Sequence, residues 1–211
     1  MTKKIIGSIV VVAVLVYGIF FVTSGRPVFS ISNPFQSNTT VQHKKPNELT
    51  IGVSLSTLNN PFFISIKDGV NESAKASGSK VQVYDGQNNT NKQSNDVEDL
   101  IQKKVDVLII NPVDSSAITP EVKSANEAGI PVIAIDRSSD GGKVLSLVAS
   151  DSRAGGKMAA DFMIKTLGQN AKIAELQGTP GASATRERGA GFDQTAKGHL
   201  DIVTKPVSYT H

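Results

Sequence analysis

The stretch TIGVSLSTLNNPFFISIKDGVNESAKASGSKVQVYDG, residues 50–86, contains the pattern that decides the fold. It begins with a short β run, Ile51–Leu55, and ends with a second one, Val81–Tyr84. Between them, Asn60 followed by Pro61 is typical of a helix N-cap with proline at the first helical position, which predicts a helix to about residue 77. A strand, a helix and a strand in this order predict two parallel strands joined by a helical crossover.

The same alternation continues along the rest of the chain. Continuous apolar runs such as residues 107–110 are typical of strands that are covered on both faces, and segments with helical spacing separate them. The predicted strands lie at 107–110, 132–135, 145–149, 173–176 and from 202, and the predicted helices are marked by Val97/Leu100/Ile101/Lys104, by Ile118/Val122/Ala125, by Ala154/Met158/Phe162/Thr166, and by residues 182–197. This rhythm predicts an α/β fold with parallel sheets flanked by helices.

The composition fits a folded protein and excludes several kinds of functional site. The 211 residues include no cysteine, which excludes disulfides, thiolate zinc sites, cysteine nucleophiles and lipid attachment at an N-terminal cysteine. The formal net charge is +3, but residues 1–50 hold five basic residues and one acid, so the other 161 residues carry −1. Because a nucleic-acid-binding protein would place positive charge on its folded part, we predict no nucleic-acid partner.

The N-terminus carries a membrane-targeting pattern. Lys3 and Lys4 precede an uncharged run of 21 residues, Ile5–Gly25, which is long enough to span a bilayer. Secretory signal peptides share the basic start but have a shorter apolar centre and a small-residue cleavage site. We predict a signal anchor over residues 1–25, with a cleaved signal peptide as the alternative, and a flexible tether over 26–47. Either one places the rest of the chain on the periplasmic or extracellular face of the cytoplasmic membrane, anchored or secreted.

Polar and aromatic residues follow several of the predicted strands. In open α/β sheets, ligands bind outside the carboxyl ends of the strands, so these residues are expected to converge at one edge. Carboxylates, amides and guanidinium groups suit the hydroxyl groups of a sugar, and aromatic rings pack on its C–H faces. The candidates are Ser56, Asn60, Phe62 and Phe63 after the first strand, Asn111 after the third, Asp136 and Arg137 after the fourth, Ser150 after the fifth, and Arg186 and Arg188 after the sixth.

Several candidates also have a simpler structural interpretation. Asn60 could be only a helix cap, and Phe62 and Phe63 could both belong to the core. Asp136-Arg137 could be a surface ion pair. Arg186 and Arg188 are two residues apart on a helix, so they cannot face the same way and one of them is expected to be solvated.

Enzyme chemistry finds little support in the sequence. None of the three histidines, His43, His199 and His211, follows a predicted strand, so neither a Ser-His-Asp arrangement nor a histidine metal site is indicated. Residues 178–181 lack the lysine and Ser/Thr of a P-loop and the three-glycine dinucleotide spacing. We therefore predict a binding protein without catalytic residues, metal or cofactor.

Five motifs carry a resemblance to a known family. They are STLNNPFF (56–63), INPVDS (110–115), IDR (135–137), ASD (149–151) and GASATRERGAGF (181–192). In this order they resemble the periplasmic sugar-binding proteins of the type I class, from about residue 50 to 205. The resemblance implies ligand contacts from Asn60, Asp136, Arg137 and Arg188, stacking of Phe62 and Phe63 on the sugar, and support from Ser56, Asn111 and Ser150.

The resemblance also implies an architecture and partners. The family has two lobes that close around a small monosaccharide, here with ribose as the first candidate, and it delivers the sugar to an ABC permease. Some relatives also contact a chemoreceptor, and a sugar-sensing extracellular domain for signalling or chemotaxis is the alternative function. We expect a first lobe over 48–150 and an incomplete second lobe over 151–211, because the family's chain continues well past this one.

Overall fold

The computed structural model describes residues 44–207 of the chain. Its larger sheet is parallel throughout, with five strands in the order β2-β1-β3-β4-β5. The strands are β1 Thr50–Leu55, β2 Lys80–Asp85, β3 Val107–Ile110, β4 Val132–Ile135 and β5 Ser146–Val148. Since every strand points the same way, the loops that follow the strands all lie at one edge of this sheet.

Three helices connect these strands, and local signals fix where they begin and end. They are α1 Pro61–Ser77, α2 Thr90–Gln102 and α3 Thr119–Glu127. The Asn60 side chain accepts a hydrogen bond from the Phe62 N–H, and Asn89 caps α2 in the same way through the Lys92 N–H. Helix α1 ends at Ser77 and is capped by Gly78, whose φ of 77° lies in the left-handed region that glycine adopts without strain.

Both faces of the large sheet are covered by apolar side chains. One buried cluster joins α2 and α3 to β3 and β4, and it includes Val97, Leu100, Leu108, Val122 and Val132. The other cluster joins α1 to β1 through Phe63, Val53 and Leu55. Burial on both faces explains the continuous apolar runs of the central strands and confirms the predicted α/β class with parallel sheets and flanking helices.

A second, two-stranded parallel sheet follows. It consists of β6 Ala171–Ala174 and β7 Leu200–Thr204, with helices α4 Ser152–Leu167 and α5 Ser183–Ala196. The sequence prediction placed the sixth strand at 173–176, two residues too late. In β6 only Ile173 is buried, and the strand pairs with β7 from Ala171 onward.

Helices α4 and α5 pack closely through glycine. A Cβ built on Gly156 would overlap the Arg188 carbonyl, and one built on Gly191 would overlap the Arg153 carbonyl. The apolar stripe that predicted α4, which includes Met158 and Phe162, lies on the exposed side of the helix instead. The i+4 spacing therefore predicted the helix but not its buried face.

The predicted signal anchor, residues 1–25, lies outside the described residues, as does most of the tether. Within residues 44–207, no helix is long and apolar enough to cross a bilayer. The last tether residues contact the sheet: Lys44 forms an ion pair with Asp106, and the Pro46 carbonyl accepts a hydrogen bond of 2.7 Å from Ser79 Oγ. Asp106 also accepts a hydrogen bond from the Thr50 N–H, and these bonds, chiefly the one from Lys44, lower the pKa of its carboxyl.

Candidate functional site

A cavity of about 740 Å³ lies at the carboxyl ends of the strands of the large sheet and reaches the N-terminal part of α5. This volume falls within the range of small-molecule sites. Six of the nine site residues expected from the sequence line it: Asn60, Phe62, Phe63, Asp136, Arg137 and Arg188. The elements that carry them are far apart in sequence, so only the parallel topology brings these side chains together.

The start of α1 supplies one wall of the cavity. Asn60 caps the helix, with its Oδ1 2.9 Å from the Phe62 nitrogen, so the cap interpretation is right and the residue also lines the cavity. The two rings of Phe62 and Phe63 meet edge to face at 5.3 Å between centroids. Phe63 is 4% exposed and packs in the core, whereas Phe62 is 52% exposed. Phe62 therefore keeps about half of its surface open to solvent, and the buried Phe63 ring packs against it.

The turn after β4 supplies the charged wall. Asp136 has a φ of 63°, a left-handed conformation that Asp and Asn tolerate better than most residues. Arg137 Nη1 donates to the Pro112 carbonyl at 3.0 Å, and its guanidinium lies over the Phe63 ring at 5.3 Å. Arg137 Nε is 3.5 Å from Asp136 Oδ2, and both side chains are mostly buried. Asp136-Arg137 is thus an ion pair that lines the cavity, not a surface pair.

Helix α5 supplies the opposite wall through Arg188, whose Nη2 lies 3.3 Å from Ser152 Oγ. Arg186 does not line this cavity, and its Nη2 forms a half-exposed ion pair with Asp140 at 2.6 Å. The prediction that these two arginines face different ways is confirmed. Arg188 also borders a smaller cavity of about 400 Å³ between α4, α5 and β6.

Three expected site residues do not line the cavity. Asn111 is fully buried and both ends of its amide are used: Oδ1 accepts from the Ser56 N–H at 3.3 Å and Nδ2 donates to the Ile135 carbonyl at 2.9 Å. Ser56 is equally buried, whereas Ser150 is exposed. The Asn111 amide thus joins the backbone after β1 to the end of β4, whereas the buried Ser56 hydroxyl has no hydrogen-bond partner within the described residues.

Other polar residues complete the lining. Asn88 follows β2 in a left-handed conformation with a φ of 54°, at the same sheet edge as the expected residues. Its place after a strand is the signal that could have identified it. The polar lining residues outside the expected set are Thr57, Asn59, Asn88, Thr179 and Thr185. Within residues 44–207, no group of three or more histidine, aspartate or glutamate side chains could hold a metal ion.

Serine side chains join the large sheet to α5 beside the cavity. The Ser183 N–H donates to Ser115 Oγ at 3.1 Å, and the Ser138 N–H donates to Ser183 Oγ at 2.9 Å. The Ser115 N–H in turn donates to the Gly181 carbonyl at 2.9 Å. These bonds hold the Arg188 wall against the Asp136 wall.

Comparisons with known sequences agree with this geometry. The sequence profile described as the periplasmic binding protein domain matches residues 51–211. The ribose import binding protein RbsB of Bacillus subtilis (strain 168) is 60% identical over 158 residues, which are 75% of this chain and 52% of that protein. The RbsB protein of Escherichia coli (strain K12) is 49% identical over 150 residues, 71% of this chain and 51% of that protein. The chain thus spans about half the length of the curated relatives it matches.

Solved structures with the same fold are also sugar or polyol binders by their descriptions. A Caulobacter myo-inositol binding protein bound to myo-inositol has a TM-score of 0.71 at 32% identity, and the match covers 75% of this chain and 55% of that one. The fructose-binding periplasmic domain of the hybrid two-component system BT1754 has a TM-score of 0.73 at 25% identity, with coverages of 77% and 55%.

Proposed function

This chain belongs to the periplasmic binding protein domain family, and we propose that it binds a small monosaccharide, with D-ribose as the first candidate. The proposed role is that of an extracytoplasmic receptor that delivers the sugar to an ABC importer. The similarity to ribose import binding proteins supports the choice of sugar and of importer.

One observation carries the proposal, namely that Asp136, Arg137 and Arg188 meet Asn60 and Phe62 around a single cavity. A sugar ring presents hydroxyl groups at its rim and C–H groups on its faces. A carboxylate can accept from two hydroxyls, guanidinium groups donate to ring and hydroxyl oxygens, and an exposed ring packs on the C–H face. The wall chemistry therefore matches a neutral polyhydroxylated ligand better than a phosphate or a peptide.

Binding is expected to change the population of a hinged conformation and to involve no covalent chemistry. We propose that residues 48–150 form a first lobe and residues 151–211 part of a second. Arg188, in the proposed second lobe, lines the same cavity as Asp136 in the proposed first lobe, so a sugar in that cavity would be bound by both. The apolar run Ile5–Gly25 supports placement at the membrane, as an anchor or an export signal.

Calorimetric titration of the purified chain with D-ribose, D-allose and D-xylose tests this function. We expect saturable binding of one ribose per chain, and we expect Arg188→Ala to abolish it. Arg153→Ala is the matched control, because Arg153 is an exposed arginine on α4 that bonds Gln194 and does not line the cavity. The absence of saturable binding of any of the three sugars would contradict the proposal.

A second candidate function is sugar sensing for signalling or chemotaxis, with a chemoreceptor as partner in place of the permease or beside it. The likeness to the fructose-binding domain of a hybrid two-component system favours it. Sugar-dependent stimulation of ATP hydrolysis by a ribose ABC importer in vesicles would support the import role. Binding of ribose without any such stimulation would favour sensing.

A further inference from the structure

A fully hydrogen-bonded amide lies beneath the cavity and does not line it. Gln93, on α2, is 1% exposed. Its Oε1 accepts from the Val113 N–H at 2.7 Å, and its Nε2 lies 3.0 Å from the Asn111 carbonyl and 3.1 Å from Ser54 Oγ. A buried amide with these partners fixes the backbone it bonds, because every alternative position leaves polar groups unpaired.

The turn that Gln93 holds, residues 111–113, is the one to which the Arg137 side chain is hydrogen-bonded. The carbonyls of Pro112 and Val113 accept from Arg137 Nη1 at 3.0 and 3.5 Å. Asn111, at the start of the same turn, bonds the Ser56 N–H ahead of the Asn60 loop and the Ile135 carbonyl directly before Asp136. One side chain on α2 is therefore linked, through residues 111–113, to the two loops that supply most of the polar wall.

We propose that Gln93 is a positioning residue for sugar binding: it holds the 111–113 turn so that Arg137 and Asp136 face the ligand in a fixed arrangement. This inference rests on the proposed function, since it concerns how the same cavity binds. Gln93 acts through other residues and does not touch the sugar. The physical basis is preorganisation, because a loop that is already fixed loses less conformational freedom when ligand binds.

The test compares variants of equal size with a control on the same helix. Gln93→Met keeps the volume of the side chain but leaves the Val113 N–H and the Asn111 carbonyl without a partner, so we expect ribose affinity to fall on the order of tenfold or more. Gln93→Glu keeps an acceptor for the Val113 N–H, and we expect it to recover part of the lost affinity. Leu100→Ala is the control, since Leu100 is a buried residue of α2 in the apolar cluster.

The measurements are calorimetric ribose titration, thermal unfolding and amide hydrogen exchange. Leu100→Ala is expected to lower the melting temperature with ribose affinity unchanged, whereas Gln93→Met lowers affinity and speeds exchange of the Ser56 amide in the ligand-free chain. Affinity of Gln93→Met within twofold of the unsubstituted chain, or an equal loss in Leu100→Ala, would overturn the proposal.

If the unsubstituted chain binds no ribose, the proposed function fails, and the exchange measurement still decides the role of Gln93. Unchanged exchange at Ser56 in Gln93→Met would then overturn the inference by itself. Faster exchange of the Ser56 amide in Gln93→Met, with unchanged exchange of that amide in Leu100→Ala, would support the positioning role of Gln93 at this edge of the sheet.

Discussion

Replacing Asp136 with asparagine separates the charge of the cavity wall from its shape. Asp136 sits at a φ of 63°, where asparagine is tolerated about as well as aspartate, so the backbone of the turn should not move. The substitution removes the negative charge and turns one acceptor oxygen into a donor. A sugar hydroxyl that donated to that oxygen then loses its partner.

The expected loss of ribose affinity in Asp136→Asn follows from the burial of the Asp136 carboxylate. The Asp136 side chain is 25% exposed, so a hydrogen bond from a ligand to its carboxylate would be largely shielded from solvent. A hydrogen bond to a charged group contributes about 1.5–3 kcal/mol, and about 1.4 kcal/mol corresponds to a factor of ten in affinity. Loss of one such bond should therefore weaken ribose binding by roughly 10- to 100-fold.

The assay is calorimetric titration with ribose, accompanied by thermal unfolding of each variant. Asp161→Asn is the matched control, because Asp161 is an exposed carboxylate on α4 that pairs with Lys157 at 2.6 Å and does not line the cavity. We expect weaker binding only for Asp136→Asn and similar melting temperatures for both. Equal affinities of the two variants would refute the assignment of Asp136 to the ligand wall.

Two further predictions concern the aromatic wall and pH. Phe62→Ala should weaken ribose binding with little change in stability. Phe63→Ala should lower the free energy of unfolding by about 3–5 kcal/mol, because its ring is buried. Denaturant unfolding and ribose titration of both variants check this, and equal losses of stability would contradict it. The lowered pKa of Asp106 means that its ion pair with Lys44 stabilises the fold above the unfolded-state pKa of about 4, and that this stability is lost as pH falls through the folded pKa. Asp106→Asn should flatten that part of the profile of unfolding free energy against pH, measured from pH 6 to 2, and superimposable profiles would contradict a stabilising Lys44–Asp106 ion pair.

Most elements of the fold could be predicted because their signals are local. Helix α1 begins at Pro61 and ends at Ser77, where the Asn60 cap, the proline and Gly78 placed its limits. The central strands β3 and β4 are continuous apolar runs because both faces of the sheet are covered there. These signals need no knowledge of which elements are neighbours in space.

What could not be predicted depends on contacts between distant segments. The buried face of α4 is set by the close approach of Gly156 to α5, and the exposed stripe with Met158 gave no hint of it. Likewise, Asn111 follows a strand as a ligand residue should, yet its amide is used to join Ser56 to Ile135. The type of a residue and its position after a strand predict that it lies at the edge of the sheet, but they do not predict the direction of its side chain.

We expect the walls formed by α1, the turn after β4 and α5 to bind one sugar together. Backbone NMR spectra of the ¹⁵N-labelled chain recorded with increasing D-ribose test it most directly. We expect saturable shifts of the amides of residues 60, 62, 63, 136, 137 and 185–188, all with the same dissociation constant. Shifts confined to one wall, different constants for the walls, or shifts centred on the smaller cavity between α4, α5 and β6 would contradict it.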